Sequence, residues 1–338
     1  MITLGIETSC DETAVAVLKN RQILSTVVYS SMHLHKKYGG VIPEIATRHH
    51  VEVISYVLKE ALKKAHMDLK AMDLISVTQR PGLIGALLVG ISFAKALGYS
   101  LDVPVIGIDH VIAHLWANFL SKDYPKFPFV GLVVSGGHTS LILVKGVNKY
   151  RLLGQTQDDA VGEAFDKVAK ILNLGYPGGP AVEEKAKGIN KTDGIRFSES
   201  FSRDPSLDFS FSGIKTAVLY HVKKRGGVEK LKEKEISEIA FGFQKEVCDT
   251  VVRKAISACK NEGVTNLAIG GGVSANSRLR KKIAEEASLN GIDFFIPTLG
   301  LCLDNAAMTA VLGYELFKKG VRSDLYMSGF ANFDHSPS

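Results

Sequence analysis

Two pairs of short apolar runs, each closed by a polar turn, recur far apart in the chain, and no other feature constrains the fold as much. Ile2 to Ile6 and Thr13 to Leu18 are rich in β-branched residues and are joined by Glu7-Thr8-Ser9-Cys10-Asp11-Glu12; Phe129 to Val134 and Ser140 to Val144 are joined by Ser135-Gly136-Gly137-His138-Thr139. Each pair reads as a β-hairpin. Each also heads a stretch of strand and helix patterns, so the chain reads as a duplicated unit whose copies face each other across a cleft. Chance likeness between two ordinary hairpins is the competing reading. With 338 residues the chain is longer than one hydrophobic core usually serves, which favours two lobes.

The first lobe alternates strands and helices. Pro43 to His66 has helical spacing, Gly82 to Gly98 is an apolar helix with glycines for close packing, and Leu74 to Thr78 and Val103 to Ile108 read as strands. The expected result is a mixed sheet covered on both faces. In the second lobe Asp158 to Leu174, Ser212 to Lys224, Lys234 to Asn261 and Ser277 to Asn290 read as helices, and Leu267 to Ile269 as a buried strand. Gly/Pro-rich and Ser/Asp-rich connections occupy about 175–180 and 190–211. The expected bounds are 1–110 with about 306–330 for the first lobe, 111–305 for the second, and 331–338 as a loose tail.

Composition narrows the function classes. Hydrophobic residues at 46% and charged residues at 22% are ordinary for a folded globular chain and argue against extensive disorder. A net charge of +6 permits a polyanionic partner without identifying one. Cys10, Cys248, Cys259 and Cys302 form no C-x-x-C pair and are too sparse for a disulfide framework, which fits reduced thiols and a cytoplasmic location. The N-terminal residues enter a strand pattern without a basic leader, and the longest apolar stretch, Leu83 to Ala94, is short for a bilayer. No membrane association is expected.

Chemistry concentrates in a few places. His110 and His114 stand four apart, which puts both imidazoles on one helix face, while Ile112, Leu115, Trp116 and Phe119 cluster opposite; the pair is therefore expected to point away from the local core, toward a divalent metal. Asp304, flanked by apolar and small residues, needs a partner if it is buried, and a metal would be one. Two histidines and a carboxylate suit iron(II), with zinc as the alternative. Asp11 and Glu12 are expected to face the same cleft, one of them as a general base or an orienter of a reacting amine; a surface ion pair is the plainer reading of Glu12. Ser135-Gly136-Gly137 and Gly270-Gly271-Gly272 follow strands, where backbone N–H groups approach phosphate or carboxylate oxygens; tight turns and nothing more is the bland alternative. Asp166 and Glu183 offer acceptors for ribose hydroxyls, although Glu183 is equally explained as a carboxylate favoured at a helix start, and Ser212 as a cap.

Taken together these runs resemble the TsaD family of tRNA N6-adenosine threonylcarbamoyltransferases, once called O-sialoglycoprotein endopeptidases. The likeness rests on Gly5 to Thr13, His110 to His114, Val134 to Thr139, Asp159 to Lys167, Gly175 to Pro180, Phe209 to Ala217, Gly271 to Asn276 and Asp304 to Ala306. It implies an α/β, duplicated actin-like ATPase fold of the ribonuclease H-like kind, with two lobes around a nucleotide cleft. It implies one divalent metal per subunit on His110, His114 and Asp304, described as iron(II) with zinc in some preparations. Substrate contacts are implied for Val133, Val134, Ser135, Gly136, Gly137, Asp166, Gly179, Glu183 and Asn276. Glu183 stands where many members carry Asp, and Arg80 where many carry Gly.

The implied reaction moves the carbamoyl carbonyl of threonylcarbamoyl-AMP onto the exocyclic amine of the adenosine beside the anticodon in tRNAs reading A-starting codons, with Asp11 assisting the amine. The implied partners are tRNA, a TsaB-like paralogue of the same fold and a TsaE-like P-loop ATPase, with helices 43–66 and 82–98 as the candidate paralogue contact. Rival readings are a small-molecule kinase, a nucleotide-switched assembly protein and a peptidase. Against the last, Val111 occupies the position at which an H-E-x-x-H protease has its general base.

Overall fold

A computed structural model describes residues 1–190, 197 and 206–332. Most of the connection expected over 190–211, and the tail from 333 onward, lie outside the described residues. The main elements, in chain order, are β1 Ile2–Glu7, β2 Glu12–Lys19, β3 Gln22–Ser30, α1 Met32–His35, α2 Pro43–Ala65, β4 Leu74–Arg80, α3 Ile84–Leu101, β5 Val105–Asp109, α4 His110–Trp116, β6 Phe129–Val134, β7 Thr139–Gly146, β8 Lys149–Gln155, α5 Val161–Ile171, α6 Gly178–Ala186, α7 Ser212–Lys224, α8 Glu233–Glu262, β9 Asn266–Gly270, α9 Ser277–Leu289, β10 Asp293–Phe295 and α10 Ala306–Lys318. The two hairpins and the long helices fall where the sequence pattern puts them. β3, β8, β10, α1, α6 and α10 are additional.

The chain divides into two compact units: Met1–Tyr124, Gly146–Tyr150 and Pro297–Ser338 form one, and Pro125–Lys145 with Arg151–Ile296 the other. Residues 111–124 and 297–305, expected with the second unit, pack with the first. His110, His114 and Asp304 therefore belong to one unit.

The first unit is built on a five-stranded sheet in the order β3-β2-β1-β4-β5. β1, β2 and β3 form an antiparallel meander, and β4 and β5 run parallel on the far side of β1. Alternation along the strands sorts the two faces. Leu4 and Ile6, with their register partners Val17 and Val15, pack against Ile54 and Val57 of α2 and Leu87 and Ile91 of α3. The opposite face is made of small residues: Gly5 pairs with Ala16 and with Ser76. α10 lies directly on that face. A side chain on Gly5 would run into the Ala306 carbonyl and the Ala310 methyl, and one on Gly313 into Ser76. This close seat fixes the Asp304-Asn305 turn that precedes α10, and the Asn305 side chain accepts from Met308 N at 3.0 Å to cap the helix.

α3 continues past Ala94, where its apolar stretch was expected to end, and its 18 residues with mean hydropathy 1.6 are long and apolar enough to cross a bilayer by length and composition. One side of it, Ala86, Leu87, Gly90, Ile91, Ala94 and Gly98, is buried in the first unit.

The second unit repeats the plan, with strand order β10-β9-β6-β7-β8. β6 and β7 are antiparallel, β9 runs parallel to β6, and β10 parallel to β9. Val130, Leu132, Val134, Leu141 and Leu143 on one face join Phe165 of α5 and Phe243 of α8 in a single core. The fold is thus α/β with two mixed five-stranded sheets of matching strand order, as the duplicated actin-like reading requires.

Candidate active site

α4 begins where β5 ends. Asp109 leaves the strand and accepts from Ile112 N at 3.0 Å, capping the seven-residue helix that carries both histidines. The apolar residues Leu115 and Trp116 are fully buried, as the stripe predicted. The histidines point away from that apolar stripe, as expected, yet all of α4 is buried, His110 at 6% and His114 at 1% exposure. They turn into a polar pocket bounded by the end of β1 and the start of α10.

Asp304 lies in that pocket. Its Oδ1 is 3.2 Å from His114 Nε2 and 3.6 Å from His110 Nε2, and one donor atom from each of the three residues falls within 4.8 Å of the others. Two donors each about 2.1 Å from one ion stand roughly 3.0–3.4 Å apart at octahedral or tetrahedral angles, so these spacings are close to those of a shared coordination shell. The donor set fits as well. Buried His114 Nε2 has the Asp304 carboxylate beside it, and a polar group so enclosed calls for a partner such as a shared ion. Burial depresses the His114 pKa, and the neutral ring is the ligand form. For His110 burial pulls the same way, but the Asp304 and Glu7 carboxylates outweigh it and raise the value to about 9. A divalent ion would take the place of that proton.

Glu7 was not singled out by the sequence beyond its place in the first turn. It ends β1 fully buried, with Oε2 3.2 Å from His110 Nδ1. Ser9 N donates to its Oε1 at 2.7 Å, and the hydroxyls of Thr78 and Thr309 point at Oε2. Burial works to raise this carboxyl, but His110 beside it and the hydrogen bonds hold it below the ordinary glutamate value. Its visible signal was a charge directly after an apolar strand; its burial needed the sheet and α10.

Asp11 is 8% exposed, in the same turn. Its neighbour Glu12 is pushed up to about 10, by burial first and then by Asp304 and Asp11. Burial and the two neighbouring carboxylates favour its protonated form, so Glu12 is no surface ion pair. It accepts from Ser30 Oγ at 3.3 Å and is hydrogen-bonded to Asp11.

The remaining expected residues gather in the second unit, beyond the ends of the parallel strands β6 and β9, where open α/β sheets bind ligands. Val133 and Val134 have fully buried side chains, so they contribute only strand backbone. Ser135 N donates to His138 O at 2.8 Å and His138 N to Ser135 Oγ at 3.0 Å, closing the turn while Gly136 and Gly137 stay open on their outer side. Gly271, at φ +93°, packs against the Val134 carbonyl, where a side chain would collide. The second glycine turn is thereby held beside the first. Asp166 accepts from Gly178 N at 2.7 Å, which ties α5 to the start of α6 and leaves Gly179 open. Glu183 accepts from Ser277 N at 2.9 Å and from Asn276 Nδ2 at 3.2 Å. It is a link to the cap of α9, in which Asn276 accepts from Leu279 N at 3.0 Å. A cavity of about 480 Å³ opens beside it, lined among others by Phe241, Gln244, Ser277 and Arg278. The Ser212 side chain caps no helix; it donates to Asp158, which also accepts from Ser212 N.

The chain is similar to known proteins along nearly its whole length. The family model described as "TsaD: tRNA N6-adenosine threonylcarbamoyltransferase" matches residues 22–311. A protein of that name from Thermosipho africanus is 48% identical over 332 residues, 98% of this chain and 99% of the relative. Another from Dictyoglomus turgidum is 49% identical over 333 residues, 97% of each. Among solved structures, the activator of 2-hydroxyisocaproyl-CoA dehydratase from Clostridium difficile with bound ADPNP has TM-score 0.54 at 16% identity, covering 96% of this chain and 99% of that one. Full-length HypF in its phosphate- and nucleotide-bound form has TM-score 0.61 at 12% identity, covering 94% of this chain and 55% of that one. These structural likenesses support the shared actin-like fold and no more than the fold.

Proposed function

The chain belongs to the TsaD family of tRNA N6-adenosine threonylcarbamoyltransferases, and from that premise we propose how its residues divide the work. It is an acyltransferase that modifies tRNA. Threonylcarbamoyl-AMP is the proposed donor, and the adenosine beside the anticodon in tRNAs reading A-starting codons the acceptor. The adenosine N6 attacks the carbamoyl carbonyl, the bond from that carbon to the phosphate oxygen breaks, AMP leaves, and the N6 proton passes to a base. Asp11 is that base, held in place by Glu12. An anticodon-loop base is already accessible, so no duplex has to open.

Ser135, Gly136, Gly137, Gly179 and Asn276 cradle the adenylate through backbone and amide groups, with Val133 and Val134 setting the strand end that presents them. Asp166 and Glu183 face its ribose, and the cavity beside Glu183 has the volume for a base. His110, His114 and Asp304 hold one divalent ion, iron(II) in our reading with zinc as the alternative. Bound there, it supplies Lewis-acid stabilisation to oxygens of the acyl group. The partners we propose are a TsaB-like paralogue and a TsaE-like ATPase, and the location is the cytoplasm.

The convergence of His110, His114 and Asp304 within a family-wide match supports this reading most directly. Mass spectrometry of tRNA nucleosides tests it. Depleting the protein is expected to remove N6-threonylcarbamoyladenosine; wild type restores it, whereas His110→Ala and Asp11→Asn leave it below about a tenth of normal, each group being worth at least tenfold. Full restoration by His110→Ala would remove the metal from the proposal, and full restoration by Asp11→Asn the base.

A further inference from the structure

We infer that Glu7 is a positioning residue for the candidate metal centre: its buried carboxylate fixes the ring and the proton of His110 so that the Nε2 lone pair faces the ion. The inference rests on the metal reading above and adds a residue to it. A carboxylate only accepts hydrogen bonds, so His110 Nδ1, 3.2 Å from Glu7 Oε2, keeps its hydrogen when an ion takes the place of the other proton. That leaves Nε2, the nitrogen facing Asp304, as the ligand atom.

Glu7 is itself unable to swing. Its two oxygens receive Ser9 N from its own turn, Thr78 from β4 and Thr309 from α10, three groups that do not titrate and that come from separate elements. Burying a carboxylate is costly unless it is well paired, and an apolar residue would join β1, β4 and α10 without that cost. Among the described residues His110 is the cationic partner of Glu7. The second histidine has no comparable support: among the described residues its buried Nδ1 has no hydrogen-bond partner. Orientation of the site therefore falls on the Glu7–His110 pair, the outer-shell arrangement that raises ligand basicity and fixes ring orientation.

The test is titration of metal-free protein with cobalt(II), read by its visible absorption and by chelator competition, beside thermal melting of the metal-free proteins. Wild type is expected to take up one cobalt, and His114→Ala to lose it. Glu7→Gln, which keeps shape and loses charge, is expected to bind about 10- to 100-fold more weakly with an altered absorption band. A purely structural Glu7 would lower the melting temperature and leave affinity and band unchanged, which overturns this inference alone. Failure of wild type to bind, or equal binding by His114→Ala, overturns the metal reading and this inference together. Should Glu7→Gln not fold, Thr309→Val removes one hydroxyl that holds the carboxylate; a several-fold loss of affinity supports the inference and an unchanged affinity overturns it.

Discussion

Asp109 does two jobs with one carboxylate. Oδ1 accepts from Ile112 N as the cap of α4, and Oδ2 lies 3.4 Å from Arg80 Nε. Burial pushes this carboxyl up to about 6 against the hydrogen bond and the guanidinium. Replacing it with Ala removes a cap, so Asp109→Ala is expected to cost about 1 kcal/mol of stability in urea denaturation. Because α4 places both imidazoles, the same variant is expected to bind cobalt more weakly; unchanged binding would show that packing alone holds the helix. At this scale the sequence was most legible for residues that bring their own spacing, such as His110 and His114. Glu7 was harder because its partners come from strand parity: it shares with Gly5 and Ser76 the face that α10 covers, and α10 was not foreseen. The histidines point away from the apolar stripe as expected, and their burial was hidden for the same reason. An apolar stripe tells which side of a helix packs on apolar neighbours, but not whether a polar pocket closes over the other side.

Asp158 and Asp159 join elements that are distant in sequence. Asp158 accepts from Phe211 N at 2.7 Å and Ser212 N at 3.2 Å, and from the hydroxyls of Ser210 and Ser212, so the start of α7 is capped from across the unit. Asp159 sits between Lys167 and Lys215. Burial acts to raise both carboxyls, but these hydrogen bonds and charges hold both below the ordinary aspartate value of 3.8. The unfolded chain therefore takes up protons first as pH falls. The stabilisation is complete above that value and is lost below it, as pH passes through the folded-state values. Asp158→Ala is expected to lower stability by about 1 kcal/mol at pH 6, and the gap to wild type in urea midpoints to narrow by pH 3. A gap independent of pH would assign Asp158 a packing role. The elements missed from sequence each lacked a visible signal. α10 is buried on all sides over most of its length, so its apolar residues form no stripe. α6 opens with Gly178-Gly179-Pro180, residues that read as a connection. β3 and β8 are the third strands of meanders whose first two were recognised, and each follows its neighbour after a turn too short to stand out.

The duplication was legible because each unit starts with the same hairpin, and the matching strand orders confirm what those hairpins head. The bounds were not, since the chain leaves the first unit at Tyr124, revisits it over Gly146–Tyr150 and returns at Pro297, and no compositional break marks these crossings. One consequence of the first unit's plan concerns a partner. α2 and α3 pack one side each on the sheet, and their other sides carry apolar residues that nothing in the unit covers: Val51 at 62%, Tyr56 at 49% and Leu88 at 45% exposure. Tyr56 also meets Tyr29 of β3 edge-on at 5.5 Å, which extends the apolar surface onto the sheet. Scattered single residues of this kind need no explanation, but several on two packed helices do. A paralogue with the same two helices would cover them helix against helix, as proposed above for the TsaB-like partner. Val51→Ala, Tyr56→Ala and Leu88→Ala together are expected to abolish co-purification with that paralogue, because aromatic and aliphatic anchors at an interface centre cost about 1 kcal/mol or more each on truncation. Cobalt uptake, which depends on residues on the opposite face of the sheet and beyond its edge, is expected to stay at the wild-type level. An intact complex would move the partner surface away from α2 and α3.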